Sequence, residues 1–413
     1  MNASTDVVGV DFWARPHEER YAEFARLRGL KEPVFFTEPR VPLVRSGKGF
    51  YALVRHADVV EVSRDTKAFS SEPAATSPEP PPWIAWLFGR PMVNMDDPRH
   101  GRLRRIVSRA FSPKMLGGLA GDVQATATRI VDDLEREGPR DFVEQVAARL
   151  PINVICSMMG VPPERRPYVL ERIDVMTEYS GVRGSLLNPR TLRLLAGNLK
   201  AIVDLHRLVA GMGRERRRNP GNDLVSALVN ANVDGEALTV RELGSFFDLL
   251  LVAGNETTRN ALSHGIRLFT EHPGQRELLL EDYDARIGPA IEEIVRYTSP
   301  IIQFRRTVTR PYELNGLRLE PGDKVVLFYP AANRDPEVFP DPDGFDITRS
   351  PNPHVGFGGP GAHLCLGANL ARMELKIMFR ELFTRLPDIR TTGEPEYLLS
   401  NFDNGVVRQP FTF

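Results

Sequence analysis

Apolar residues return every three or four positions over most of the stretch from Arg99 to Val240, and again from there to about Thr270. That period marks helices that bury one stripe. Ser112-Pro113, Gly117-Gly118, Gly138-Pro139, Pro162-Pro163 and Asn219-Pro220-Gly221 are expected to divide the first stretch into several helices. The second opens on Thr239 with Glu242 three residues later, a capping box. Phe246, Leu250, Ala253, Thr257 and Ala261 then share a stripe until His272-Pro273 ends the pattern. At a rise of 1.5 Å per residue this helix spans roughly 45–50 Å, enough to cross a whole domain. Another helix is expected to end near Tyr297. A last one runs from about Cys365 to Leu386, with Leu366, Leu370, Met373 and Ile377 on its apolar side.

Strand signals are fewer. Phe50–Val54 precedes a short helix at Ala57–Arg64, and Tyr312–Leu319 alternates around Asn315-Gly316, the strongest short hairpin signal. Pro321-Gly322-Asp323 turns into Lys324–Tyr329, and 330–364 is loop. The sum is mainly α with a small antiparallel β part, an α+β class. No repeat or long linker divides the chain, so residues 1–413 are read as one unit. Its β-containing parts are about 33–56 and 298–330 plus the C-terminus, and its helical parts about 57–297 and 365–386.

Composition narrows the function classes. Of 413 residues, 42% are hydrophobic and 26% charged, ordinary for a chain with a sizeable core. Lys and Arg number 53 against 54 Asp and Glu, so no basic excess points to nucleic acid. Two cysteines, Cys156 and Cys365, cannot make a disulfide framework and suggest a reducing compartment. No basic-then-apolar leader opens the chain, and the most apolar run, Phe246–Ala253, is far short of the ~20 residues of a membrane span. A cytoplasmic protein without a membrane anchor is expected.

Three stretches hold candidate chemistry. Residues 71–91 carry six prolines around Trp83, Trp86 and Phe88, a long irregular loop of the kind that serves as a lid. Asp96 to Arg109 contains five arginines and His100, with no acid from Pro98 to Gly121. Gly356-Phe357-Gly358-Gly359-Pro360-Gly361-Ala362-His363-Leu364-Cys365-Leu366-Gly367 puts five glycines and a proline around one cysteine at the start of a helix. Glycines let the backbone turn tightly, and a helix start stabilises a thiolate through its free N–H groups. A lone cysteine is most often a small buried hydrophobe. A nucleophile needs an oriented base, for which only His363 is near, and zinc needs four ligands. A single thiolate in a glycine cradle suits the axial position of a haem iron.

The segment resembles the haem-binding loop of the cytochrome P450 superfamily, the haem-thiolate monooxygenases. The common form has Phe seven residues before the cysteine. Here Gly358 stands there and Phe357 comes one earlier. With Gly-Ala-Asn-Leu-Ala-Arg after the cysteine, the chain is similar to the actinobacterial branch that oxidises sterols and methyl-branched lipids. The resemblance implies haem b (iron protoporphyrin IX), with Cys365 on the iron inside Phe357, Gly359 and Gly367. His100, Arg104, Arg306 and His363 would take the propionates. In Ala253-Gly254-Asn255-Glu256-Thr257-Thr258, small Ala253 and Gly254 would leave room for O2. Thr257 would hold an oxygen-derived group or water, and Glu256 would relay protons. Glu293 and Arg296, usually a solvated pair at that spacing, would form a buried lock closed by Arg349, although Gly344 stands where an arginine is usual.

An apolar pocket is expected from Trp83, Trp86, Phe88, Phe246, Phe247, Leu250, Ile301, Ile302, Phe304, the Leu399–Phe402 turn and Phe402 itself, with Gln303, Asn401 and Asp403 as polar candidates. Arg102, Arg105 and Arg109, with Arg372 and Lys376 nearby, would face an acidic ferredoxin, itself reduced by an NAD(P)H-dependent ferredoxin reductase. The expected activity is insertion of one atom of O2 into a C–H bond of a branched lipid, sterol or terpenoid. Alternatives are a natural-product (polyketide or terpenoid) tailoring hydroxylase, a peroxygenase or isomerase, and a non-catalytic haem sensor.

Overall fold

The computed structural model describes residues 7, 9–38, 48–76, 79, 86, 89–108, 111–180, 189–230 and 238–413. The α-helices longer than one turn are α1 (His17–Arg28), α2 (His56–Arg64), α3 (Arg99–Ser108), α4 (Pro113–Glu137), α5 (Arg149–Met159), α6 (Arg166–Ser180), α7 (Pro189–Arg218), α8 (Leu224–Asn230), α9 (Val240–Glu271), α10 (Pro273–Glu281), α11 (Tyr283–Thr298) and α12 (Ala368–Arg385). The predominantly helical, α+β expectation holds, and most of the expected breaks are real. Gly117-Gly118 is an exception, for both glycines lie inside α4. A Cβ at either would meet nothing within 4 Å. The opposite face of α4 buries Val123, Ala127, Ile130 and Leu134, which offsets the entropic cost of the glycines.

Helix α9 is the axis of the molecule. Thr239 caps it: its hydroxyl accepts from the Glu242 N–H at 3.2 Å while Glu242 Oε2 accepts from the Thr239 N–H at 3.0 Å. It packs on α5, α7, α11 and α12. Leu251, Leu262, Ile266 and Leu268 are fully buried, each side chain stabilising the fold by ~1.5–3 kcal/mol. Gly265 lets α12 approach, since a Cβ there would come within 2.5 Å of the Phe379 ring.

The main sheet has strand order β1 (Val34–Phe36), β2 (Phe50–Leu53), β7 (Lys324–Phe328), β4 (Gln303–Val308), β3 (Phe69–Ser70). One pairing departs from the antiparallel expectation: β2 and β7 run parallel, Tyr51 opposite Val325. The chain travels from residue 53 to 324 between them, so no local turn fixes their direction. The expected hairpin is present as β5 (Tyr312–Leu314) and β6 (Leu317–Leu319), with positive φ at Asn315 and Gly316. Short strands β8 (Arg390–Thr391), β9 (Glu396–Tyr397), β10 (Val406–Arg408) and β11 (Phe411–Thr412) close the C-terminus. Helix α1 is not marked by the sequence pattern. Its thin apolar face, Phe24 and Leu27, packs on Phe12, Trp13 and Phe328.

Candidate functional site

The glycine-rich loop is held from both ends. The Cys365 N–H donates to the Phe357 carbonyl at 2.9 Å and the Gly358 N–H to the Val355 carbonyl at 2.9 Å, with Gly358 at φ +88°. Gly359 and Gly361 press against α2, where a Cβ on either would collide with Ser63. Gly359 therefore serves loop-on-helix packing. Gly367 is more open, its nearest neighbour being the Phe111 ring at 4.0 Å. Helix α12 begins at Ala368, three residues later than expected, so Cys365 precedes the helix. The amides of Gly367 and Ala368 point at its sulfur. Burial pushes the thiol up, and those amides, Arg104 and Arg372 pull it back. Cys365 is an exposed residue, yet the protein around its thiol disfavours the thiolate, so it borders a recess rather than the outer surface. Cys156, by contrast, is packed in the helical core.

Four predicted anion-binding residues converge beside this opening. The rings of His100 and His363 lie 4.1 Å apart. Arg104 donates to the Leu364 carbonyl at 2.6 Å and His363 Nε2 meets Ser71 Oγ at 3.0 Å. Arg306, on β4, is buried. Burial and then the charge of Arg306 hold His363 low, at about 3, with His100 and Arg104 adding to it. His100 is lowered by burial, Arg104 and Arg306, although Asp96 and Asp97 oppose the shift. Groups that depress one another in this way suit an anionic ligand. A recessed, accessible thiol under helix amides, beside two arginines and two imidazoles, fits a porphyrin with its two propionates.

The middle of α9 faces open space. Val252 is 39% exposed and Ala253 is also exposed, although Leu251 before them and Asn255 and Glu256 after them are buried. Thr257 is half-buried, and its hydroxyl donates to the Ala253 carbonyl at 2.7 Å. Gly254 has another use: a Cβ there would sit 2.6 Å from Ile155 of α5, so that residue fills its space. Glu256 is buried, with Oε1 3.3 Å from Arg259 Nη1 and 3.4 Å from Asn255 Nδ2.

The pocket expectation needs correction. Phe246, Phe247 and Ile302 are core residues; Phe247 belongs with the helical core and Ile302 with the β1–β2–β7 cluster. Leu250 is partly buried against that helical core. Phe304 and Phe402 meet edge to face at 5.4 Å, and Ile301 is half-buried beside them. Trp86 is 73% exposed. Trp83 and Phe88 lie outside the described residues. Val252, one turn before Glu256, is the lining candidate that the sequence pattern missed. Gln303 Nε2 donates to the Asn401 carbonyl at 3.1 Å.

Glu293 and Arg296 form a buried lock. Arg296 Nε and Nη2 each donate to Glu293 at 2.8 Å, and neither side chain is exposed. Arg349 closes it, its Nε 3.2 Å from Glu293 Oε2. Gly344, where an arginine is usual, contributes its carbonyl to Arg296 Nη2 at 2.8 Å. The expected basic face is less free than its sequence suggests. Arg102 is half-buried against Glu242 at 2.9 Å. Arg372 is held by Glu292 at 2.6 Å and Lys376 faces Asp284 at 3.4 Å. Arg105 is exposed, and Arg109 lies outside the described residues.

Two further carboxyls carry no motif: Glu374 emerges only in three dimensions, and Asp403 is marked in the sequence only as a polar candidate of the pocket. Glu374, on α12, is fully buried beside Thr258, and its Oε1 has no hydrogen-bond partner among the described residues. Burial pushes it up to about 8. Asp403 lies on the turn between β9 and β10 and is pushed up to about 7, by burial and then by the charge of Glu256.

A family model described as Cytochrome P450 matches residues 50–387. The methyl-branched lipid omega-hydroxylase of Mycobacterium tuberculosis is 41% identical over 414 residues, which covers all of this chain and 95% of that protein. The steroid C26-monooxygenase of Mycolicibacterium smegmatis is 39% identical, covering 93% of this chain and 88% of its own length. Among solved structures, Mycobacterium marinum cytochrome P450 CYP268A2 in complex with pseudoionone is 40% identical. Its TM-score is 0.89, with 98% of this chain and 97% of that chain covered.

Proposed function

Because the chain belongs to the cytochrome P450 family of haem-dependent monooxygenases, we propose that it hydroxylates an unactivated methyl-bearing carbon of a branched lipid, sterol or terpenoid, with Cys365 as the axial ligand of haem b. The observation that carries this reading is the recessed, accessible Cys365 thiol beneath the Gly367 and Ala368 amides. His100, Arg104, Arg306 and His363 hold the propionates, and Phe357, Gly359 and Gly367 shape the loop. The whole chain works as one catalytic unit. The substrate class is supported by what the relatives are named for and by the apolar lining at Val252, Ile301, Phe304 and Phe402.

When bound, the haem supplies the activation of dioxygen and the transfer of one oxygen atom to carbon. The chain's own residues supply the rest. The Thr257 hydroxyl spends its proton on the Ala253 carbonyl, which leaves its oxygen lone pairs free to accept from a donor on the open side. Glu256, one residue before it, delivers protons, which is general-acid work. Val252 and Ala253 keep the opening apolar and narrow. An acidic ferredoxin supplies electrons and docks around Arg105, by charge complementarity that speeds encounter.

Replacing Cys365 with Ser tests the ligand. The reduced carbon-monoxide spectrum is expected to lose its thiolate signature, and an unchanged spectrum rejects the assignment. A substrate-binding spectral screen of terpenoids, branched fatty acids and sterols tests the substrate class. Product formed with peroxide but never with O2 and an electron source indicates a peroxygenase.

A further inference from the structure

One positive charge is braced against the glycine-rich loop. Arg372, on α12, donates twice to Glu292 of α11, from Nε to Oε1 at 2.6 Å and from Nη2 to Oε2 at 2.8 Å. A two-pronged pair fixes the plane of the guanidinium as well as its distance. Glu292 is held in turn by His354 Nε2 at 3.0 Å. His354 Nδ1 accepts the Gly356 N–H at 3.1 Å, so the ring proton sits on Nε2 and points at the carboxylate. The Arg372 guanidinium lies 4.5 Å over the Phe357 ring. Phe357 is the residue whose carbonyl receives the Cys365 N–H at 2.9 Å. The charge is therefore one aromatic residue removed from the cysteine. Arg380, two turns further along α12, repeats the arrangement without a cysteine: it stacks 4.6 Å over the Tyr283 ring and pairs with Asp284.

We propose that Arg372 is a positioning residue acting through Cys365: braced by Glu292 and His354, it presents a fixed positive charge across Phe357 that favours the reduced haem and eases transfer of the first electron. This rests on Cys365 being the iron ligand. Reduction adds one electron from the ferredoxin to the bound haem, and no bond forms or breaks, so the centre becomes more negative by one unit. A nearby cation stabilises that state over the oxidised one. Charge and hydrogen bonding around a ligating sulfur are levers on reduction potential. The same cation favours the thiolate, and Arg372 is among the groups that do so at Cys365, after burial opposes them. Glu292 offsets part of this field.

The test is a mediator-based spectroelectrochemical titration of the holoenzyme without ferredoxin, on the parent, Arg372→Gln, Arg372→Lys, Glu292→Gln and Arg380→Gln. The ferrous carbon-monoxide spectrum of each is recorded alongside. Because no ferredoxin is present, a docking role alone would move none of the potentials. Arg372→Gln keeps a donor for Glu292 and loses the charge, so its equilibrium constant for reduction is expected to fall roughly tenfold, ~59 mV for one electron. Arg372→Lys should recover most of that shift. Glu292→Gln keeps an acceptor for Arg372 and removes the offsetting charge, so its potential should rise. Arg380→Gln should match the parent. A potential unmoved in Arg372→Gln with the thiolate signature intact overturns the proposal. An equal fall in Arg380→Gln also overturns it, since net charge alone would then explain the shift. If Arg372→Gln does not retain haem, Glu292→Gln decides, and an unmoved or lowered potential there overturns the proposal. A parent spectrum without the thiolate signature rejects Cys365 as the ligand, and with it the premise.

Discussion

Glu293–Arg296 and Glu256–Arg259 share one sequence spacing, a glutamate three residues before an arginine on a buried helix. Their surroundings differ. Glu293 receives two donors from Arg296 at 2.8 Å, a third from Arg349 at 3.2 Å, one from Asn352 Nδ2 at 3.1 Å and one from the Asp346 N–H at 3.0 Å. Glu256 meets its arginine at 3.3 Å and the Asn255 amide at 3.4 Å. Arg259 Nε has no partner among the described residues. Two arginines around one carboxylate make a fixed strut, whereas a single arginine at 3.3 Å holds Glu256 more loosely. The number of arginines, set by distant parts of the chain, separates the two pairs.

The largest expected effect is on the strut. Arg296→Ala leaves Glu293 with fewer partners and takes a donor from the carbonyls of Asn333, Pro342 and Gly344. Breaking a buried pair from one side costs about 3–5 kcal/mol, to be read from denaturant unfolding of the holoenzyme. Arg259→Ala is expected to cost less than half as much, because the Arg259–Glu256 pair is partly exposed where the Arg296–Glu293 pair is fully buried, so water can take the arginine's place. Equal losses would erase the distinction.

Glu374 extends the series, since it is a buried carboxyl with no arginine. Its folded pKa, about 8, lies above its ordinary 4.5. Between those values the folded state binds the proton and the unfolded state does not, so stability falls as pH rises through this window. Glu374→Gln removes the titration and keeps the shape. It should match the parent near pH 4.5 and exceed it by roughly 1–3 kcal/mol above pH 8. Parallel stability profiles for the two proteins would show that this carboxyl is not held neutral.

Local chemistry was legible in the sequence, and long-range placement was not. The cysteine loop, the Thr239–Glu242 box and the Asn315-Gly316 hairpin each depend on neighbours within a few residues, and each appears where expected. The stripe on α9 was read correctly as helical. Periodicity cannot say where along a stripe the core stops, so Phe246 and Phe247 were assigned to a pocket while exposed Val252 was overlooked. Arg349 was found at its expected role, but the substitute for the usual arginine, the Gly344 carbonyl, has no side chain to read. Asp403 is more than 140 residues from Glu256, and only the fold brings them together.

The smallest effect belongs to the exposed end of the same helix, where Glu242 meets Arg102 at 2.9 Å and also closes the box with Thr239. Here water screens the charges, so the ion pair is worth ~0–1 kcal/mol, against about 1 kcal/mol for the capping bond. Thr239→Ala should therefore cost about 1 kcal/mol at any ionic strength, because it removes no charge, only the acceptor for the Glu242 N–H and the hydroxyl that donates to Glu242 Oε2 at 3.0 Å. Glu242→Gln keeps a side chain able to reach back to the Thr239 N–H and loses the charge, so its smaller cost should vanish in high salt. Thermal unfolding at low and high salt measures both. A salt-independent cost for Glu242→Gln would place this surface pair with the buried strut, and charge count would no longer be enough to rank the helix's carboxylates.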